Sequence, residues 1–172
     1  MAKPFVAILL GSDSDLPVMQ ATLDTLGSLG VPFEVRITSA HRTPAATHAY
    51  VKDADGRGCA VFIAAAGLAA HLAGTVAGLT LKPVIGVPLA AGPLNGFDSL
   101  LSTVQMPGGI PVATVAIGKP GAKNAAYLAA QMLALSDPAL MTRLREDREA
   151  NMRQVQNKDA ELQAKLKGSQ SH

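Results

Sequence analysis

Three short polar loops, each following an apolar run, hold most of the side chains that could do chemistry. The first is Gly11-Ser12-Asp13-Ser14-Asp15. Its glycine permits a tight turn, its amides and hydroxyls can face an anion, and Asp15 can accept two hydrogen bonds from a ribose. The same residues also suit a helix start, with Asp13 or Ser14 as the cap, and both readings stand at this point. The second loop is Ser39-Ala40-His41-Arg42-Thr43-Pro44. Arg42 can pair bidentately with a phosphate, and His41 can carry a proton both ways near neutrality. An imidazole beside a guanidinium just before a helix favours function over a structural role. The third loop lies within Ala64 to Leu72, where small residues around Gly67 let a ligand approach the backbone and His71 stands at the start of the next helix. His71 could equally be a core imidazole satisfied by a carbonyl. His48, inside a helix, and His172, at the tail, read as ordinary surface residues. The chain has no Gly-x-x-x-x-Gly-Lys-Ser/Thr phosphate loop and no paired-histidine metal motif, so ATP and metal hydrolysis have no support.

Positioning these loops requires a scaffold, and the apolar periodicity supplies one. Runs of strand length occur at Phe5 to Leu10, Phe33 to Ile37, Ala60 to Ala64, Val84 to Val87 and Val112 to Ile117. Between them, Leu16, Met19, Leu23, Leu26 and Leu29 recur at three and four, the spacing of one helix face. Thr43-Pro44 predicts a helix opened by a capping hydroxyl and a first-turn proline. Ala69 to Leu79, Phe97 to Val104 and Ala122 to Leu135 supply the remaining crossovers. Alternating strand and helix predicts an α/β fold: a three-layer, flavodoxin-like, doubly wound parallel sheet, in which ligands bind beyond the carboxyl ends of the strands. All three polar loops fall at those ends.

One domain is expected over 1–172, with an α/β core over 1–136, a C-terminal helical extension over 137–167 and a frayed tail over 168–172. In the extension, Met141, Leu144, Met152, Val155, Leu162 and Leu166 form a narrow stripe. It can pack on its own domain or on another subunit. Charge is distributed unevenly. Only Lys82, Asp98, Lys119 and Lys123 are charged between Lys82 and Ser136, so that stretch is either sheet core or is covered by subunits. The net charge of +2 is small and forms no basic block, which argues against a nucleic-acid partner. The single Cys59 forms no internal disulfide, and neither a signal peptide nor a spanning segment is recognisable. A cytoplasmic protein without a membrane partner is the expectation.

Taken in order, the GSDSD turn, the SAHRTP loop, the AGLAAHLAG segment and the run Ser102 to Val112 resemble the PurE family, at family spacing from about Val6 to Leu135. The resemblance implies a cofactor-free isomerase of de novo purine (IMP) biosynthesis, acting on an aminoimidazole ribonucleotide as a homo-octamer. It would move a carboxylate from the exocyclic nitrogen of the imidazole to ring carbon 4 by decarboxylation and recarboxylation. It implies substrate contacts from Ser12, Asp15 and Arg42 and proton transfer by His41. Amides near Gly11, Gly67 and Ala70, with the Ser39 hydroxyl, are candidates to hold the migrating carboxylate, and Ser14, His71 and Leu72 complete the expected substrate-binding set. Leu68 stands where members usually have Gly, and Ala73 where they have Pro, departures that bear on the shape of the third loop. Arg42 and His71 resemble the mutase branch more than the branch using free CO2, which has lysine and lacks the second histidine at those positions. The alternatives are a direct aminoimidazole ribonucleotide carboxylase and a non-catalytic flavodoxin-like nucleotide-binding module. A flavin module would want aromatics around the ring, and the chain has no Trp and two Tyr.

Overall fold

A computed structural model describes residues 4–169. Five strands, β1 (Phe5–Leu10), β2 (Phe33–Ile37), β3 (Cys59–Gly67), β4 (Val84–Leu89) and β5 (Ala113–Thr114), form one sheet in the order β2-β1-β3-β4-β5. Every neighbouring pair is parallel. This is the flavodoxin-like order, with chain reversal between β1 and β3. β1 is buried along its whole length because helices cover both of its faces, which is why it reads as a continuous apolar run.

Alternate residues of each strand serve two cores. On one face Val6, Ile8 and Leu10 meet Met19 and Leu26 of α1 (Leu16–Ser28) and the alanine face of α5 (Lys119–Ala134). On the other, Ala7 and Leu9 meet Val51 and Ala54 of α2 (Pro44–Gly56) and Leu72, Ala73 and Val76 of α3 (Leu72–Ala77). α4 (Phe97–Val104) lies on this second side, directly against β4. A Cβ at Gly86 would collide with Thr103 and come within 2.9 Å of Val112, so the glycine sets the helix-to-sheet approach.

Two expectations are corrected. The last strand, expected over Val112 to Ile117, keeps ladder pairing only at Ala113–Thr114, although the Val115 and Gly118 amides still reach β4 carbonyls at 3.1 and 2.9 Å. Pro111 withholds an amide just before its start, and Gly118, at positive φ, turns the chain into α5. Second, the Thr43 hydroxyl does not cap α2. It folds back to the Ser39 backbone, accepting from its amide at 2.9 Å, while Pro44 opens the helix as expected.

The final helix, α6, runs Pro138–Ser169, about 48 Å at 1.5 Å per residue. Asp137 Oδ1 caps it by accepting from the Leu140 amide at 3.0 Å. Its first turns dock through buried Leu140, through Met141 and Leu144, through Arg143 Nε donating to the Leu29 carbonyl at 2.8 Å, and through Asp147 accepting from Tyr127 Oη at 2.7 Å. The stripe therefore divides: Met141 and Leu144 serve the chain's own core, whereas Met152, Val155, Leu162 and Leu166 are exposed. The helix continues through Ser169, past the expected end of the extension at 167, and the remainder of the expected frayed tail, 170–172, lies outside the described residues. No helix is long and apolar enough to cross a membrane among the described residues.

Candidate active site

The three polar loops converge at the carboxyl ends of β1, β2 and β3 around a cleft of about 500 Å³. Gly11, Ser12, Ser14, Asp15, Ser39, His41, Arg42, Gly67, His71 and Leu72 all line it. Ala70 does not. It is buried, and its amide donates to Ser102 Oγ at 3.1 Å. The Gly11 amide is likewise engaged, donating to the Ala65 carbonyl at 3.1 Å. Of the three amides expected to hold a carboxylate, those of Gly11 and Ala70 are therefore spent on holding the loops in place.

The first loop is both a cap and a cleft wall, but the capping residue is Ser12 and not Asp13 or Ser14 as expected. After Gly11 the chain enters a 3₁₀ turn, Asp13–Asp15, capped by Ser12, whose Oγ accepts from the Ser14 amide at 3.3 Å. Asp15 answers by accepting from the Ser12 amide at 2.9 Å, a reciprocal capping box. Burial holds the Asp15 carboxyl above its ordinary value, more strongly than the Ser12 and Gly11 amides pull it down. Within the capping box Asp15 still belongs to the lining of the cleft.

The second loop is a small ring of hydrogen bonds. The Arg42 amide donates to Ser39 Oγ at 3.1 Å and the Thr43 amide to the Ser39 carbonyl at 2.9 Å. Beneath it, buried Thr38 and Thr47 share a hydroxyl contact of 2.6 Å, tying the end of β2 to the first turn of α2. Above this ring His41 and Arg42 are exposed. Arg42 Nη2 reaches across to the Gly11 carbonyl at 3.2 Å, which joins the first loop to the second.

His41 meets the third loop. Its Nε2 lies 2.7 Å from His71 Nδ1, with the rings edge to face at a centroid distance of 4.8 Å. His71 is exposed at the entry to α3, so it is not a core imidazole. Gly67 allows the loop to pass close to the turn after β4, since a Cβ there would lie 2.7 Å from Ala91 Cβ. The next residue, Leu68, adopts φ 56° although it is not glycine. His48 is exposed on α2 and apart from the cleft, as the sequence suggested.

Several contributors were not read from sequence. Ser102, inside a recognised motif, anchors the third loop from α4, and the Thr38–Thr47 contact anchors the second. Neither residue type announces its distant partner. Among the described residues no group of three or more His, Cys, Asp or Glu side chains could hold a metal ion. The cleft lining includes no Phe, Tyr or Trp on which a flavin ring could stack.

Fold and site together define a flavodoxin-like α/β protein with a histidine pair, an arginine and a half-buried carboxylate at the switch-point edge of its sheet. The chain belongs to the AIR carboxylase family, whose pattern matches residues 5–154. It is 53% identical over 161 residues to the N5-carboxyaminoimidazole ribonucleotide mutase of Pyrococcus horikoshii, covering 94% of this chain and 90% of that one. It is 51% identical over 160 residues to the protein of the same name from Thermotoga maritima, covering 93% and 92%. Among solved structures it superposes on Treponema denticola PurE with a TM-score of 0.84 at 29% identity, covering 93% of this chain and 99% of that one.

Proposed function

We propose that the protein is an N5-carboxyaminoimidazole ribonucleotide mutase, an isomerase of purine biosynthesis acting without a cofactor in the cytoplasm. The observation that carries the reading is the 2.7 Å contact between His41 Nε2 and His71 Nδ1 in a cleft that Asp15 and Arg42 also line. The names of the relatives supply the substrate class.

In this reading Asp15 accepts hydrogen bonds from the ribose hydroxyls and Arg42 pairs with the phosphate, with Ser12 and Ser14 adding hydroxyl contacts. His41 gives a proton to the exocyclic nitrogen as the nitrogen–carboxylate bond breaks and CO2 departs. Ring carbon 4 then attacks that CO2, and the ring proton released there returns to His41. One proton leaves and one returns, so the enzyme ends as it began. His71 holds the His41 ring and serves as the second seat for the travelling proton. The Ser39 hydroxyl, the Gly67 backbone and Leu72, all in the cleft lining, are the groups proposed to surround the migrating carboxylate. CO2 stays at high effective concentration beside the carbon that captures it.

The protein also assembles with copies of itself, and the family resemblance suggests an octamer. The support is an apolar face on α4, where Phe97, Leu101 and Val104 fall at helical spacing and are exposed, Phe97 at 65% and Leu101 at 57%. That face occupies the charge-poor centre of the sequence. The deciding experiment is an assay with synthetic carboxyamino substrate, with and without bicarbonate. Turnover independent of bicarbonate is the expected result, and an absolute requirement for it would turn the reading toward a direct carboxylase.

A further inference from the structure

Leu68 combines three properties that seldom meet in one residue. Its backbone is left-handed, at φ 56°. Its large apolar side chain is 52% exposed. It also lines the cleft, three residues before His71. A left-handed γ-branched residue is strained and persists only where its surroundings impose the conformation. Those surroundings are visible on both sides. Gly67 before it is wedged against Ala91, and two residues later the Ala70 amide is held by Ser102 Oγ. The side chain itself leans over the turn after β4, where a Cβ at Gly92 would come within 2.9 Å of Leu68 Cδ2.

Nothing in the packing of the core requires a leucine here. Glycine would satisfy the backbone without strain, and a small side chain would leave less apolar surface in water. The position is costly for stability and falls at the rim of the reaction cleft. We infer that Leu68 is a retention residue: its isobutyl group, spanning from the third loop to the turn at Ala91–Gly92, forms an apolar lip that keeps CO2 in the cleft between its release and its recapture. The inference rests on the mutase reading. CO2 is small and uncharged, so the protein has few hydrogen bonds with which to hold it, and an apolar barrier that excludes water slows its escape. Once CO2 is free, recapture by ring carbon 4 competes with loss to solvent. A lip acts on that competition and not on the protonation that starts the reaction.

The test uses carboxyamino substrate labelled with carbon-13 in its carbamate, turned over in excess unlabelled bicarbonate, with label in the product measured by mass spectrometry. Wild type and Leu68→Met, which keeps a long apolar side chain, should retain the label. Leu68→Ala and Leu68→Gly should each lose several-fold more of it per turnover. Leu68→Gly accepts the positive φ without strain, so it reports the missing side chain in an intact loop, and thermal unfolding checks the fold of each variant. Equal retention in all four proteins would overturn the lip while leaving the mutase reading in place. Absence of product from wild type would remove the mutase reading instead, and the lip with it.

Discussion

His41 Nε2 and His71 Nδ1 lie 2.7 Å apart, so one proton between them forms the bond and a second on that axis would set two N–H groups against each other. Either ring can be the donor, and the choice fixes the tautomer of both. A proton accepted by His41 therefore has a neighbour able to answer it. On the mutase reading the pair, and not either ring alone, is the unit that exchanges protons with substrate.

The first expectation follows directly. His41→Asn keeps a planar polar side chain without a titratable nitrogen, and kcat should fall by about 10²- to 10⁴-fold while substrate still binds. His71→Asn leaves the His41 imidazole in place but without its partner, so kcat should fall less. Single-turnover kinetics with titrated substrate measure both. Near-normal turnover in a folded His41→Asn protein would end the proton-shuttle role.

Asp15 offers a test in which binding and stability move in opposite directions. Burial raises its carboxyl pKa in the folded protein, so the folded state holds its proton more tightly than the unfolded state. The sign follows: stability is greatest below the ordinary carboxyl value, declines as pH rises through the raised one, and stays lowered at neutrality. Asp15→Asn can still accept from the Ser12 amide and carries no charge to bury. It should match or exceed wild type in thermal unfolding at neutral pH, while losing about 1.5–3 kcal/mol of substrate binding. In wild type, substrate affinity should begin to weaken with acid at a pH above the ordinary aspartate range. Calorimetric titration across pH, beside melting curves, reads both effects. Full affinity in Asp15→Asn would return the residue to a helix cap.

Assembly is addressed by the exposed face of α4. Replacing Phe97 and Leu101 together by glutamate adds charge to a surface that a neighbour would bury, and should reduce the mass found by light scattering without unfolding the chain. A wild-type protein of monomer mass in dilute solution would defeat the assembly reading itself. Removing the chain after Leu135 asks separately whether α6 contributes.

The centre of the sheet was legible because β1, β3 and β4 are runs of apolar residues between polar loops, and parallel strands covered on both faces must look that way, whereas the edge strand β2, with Glu34 and Arg36 between its apolar residues, is only partly buried. β5 was not, because its apolar letters continue past the point where Pro111 and the turn at Gly118 let the ladder form. The site was legible as three loops, since Asp15, His41, Arg42 and His71 are chemically conspicuous and the fold rule says where loops meet. What stayed hidden depended on partners far along the chain. Nothing in the letters Ala70 or Gly11 shows that their amides are already taken by Ser102 and Ala65. Nor does leucine reveal a left-handed backbone, because its preference points the other way.

α6 carries one more consequence. From residue 149 to residue 167 every side chain is exposed, and the contacts from Asn151 Nδ2 to the Asp147 carbonyl and carboxylate at 2.9 and 3.0 Å, from Arg153 to Glu149 at 3.6 Å and from Gln163 to Asp159 at 3.4 Å all lie within the helix itself. Ordering that many residues loses entropy, and contacts within a lone chain recover only part of it. The helical content of this protein should therefore depend on how much of it is in the tube. On dilution, the far-ultraviolet dichroism of the last five turns should fade while the signal of the sheet remains.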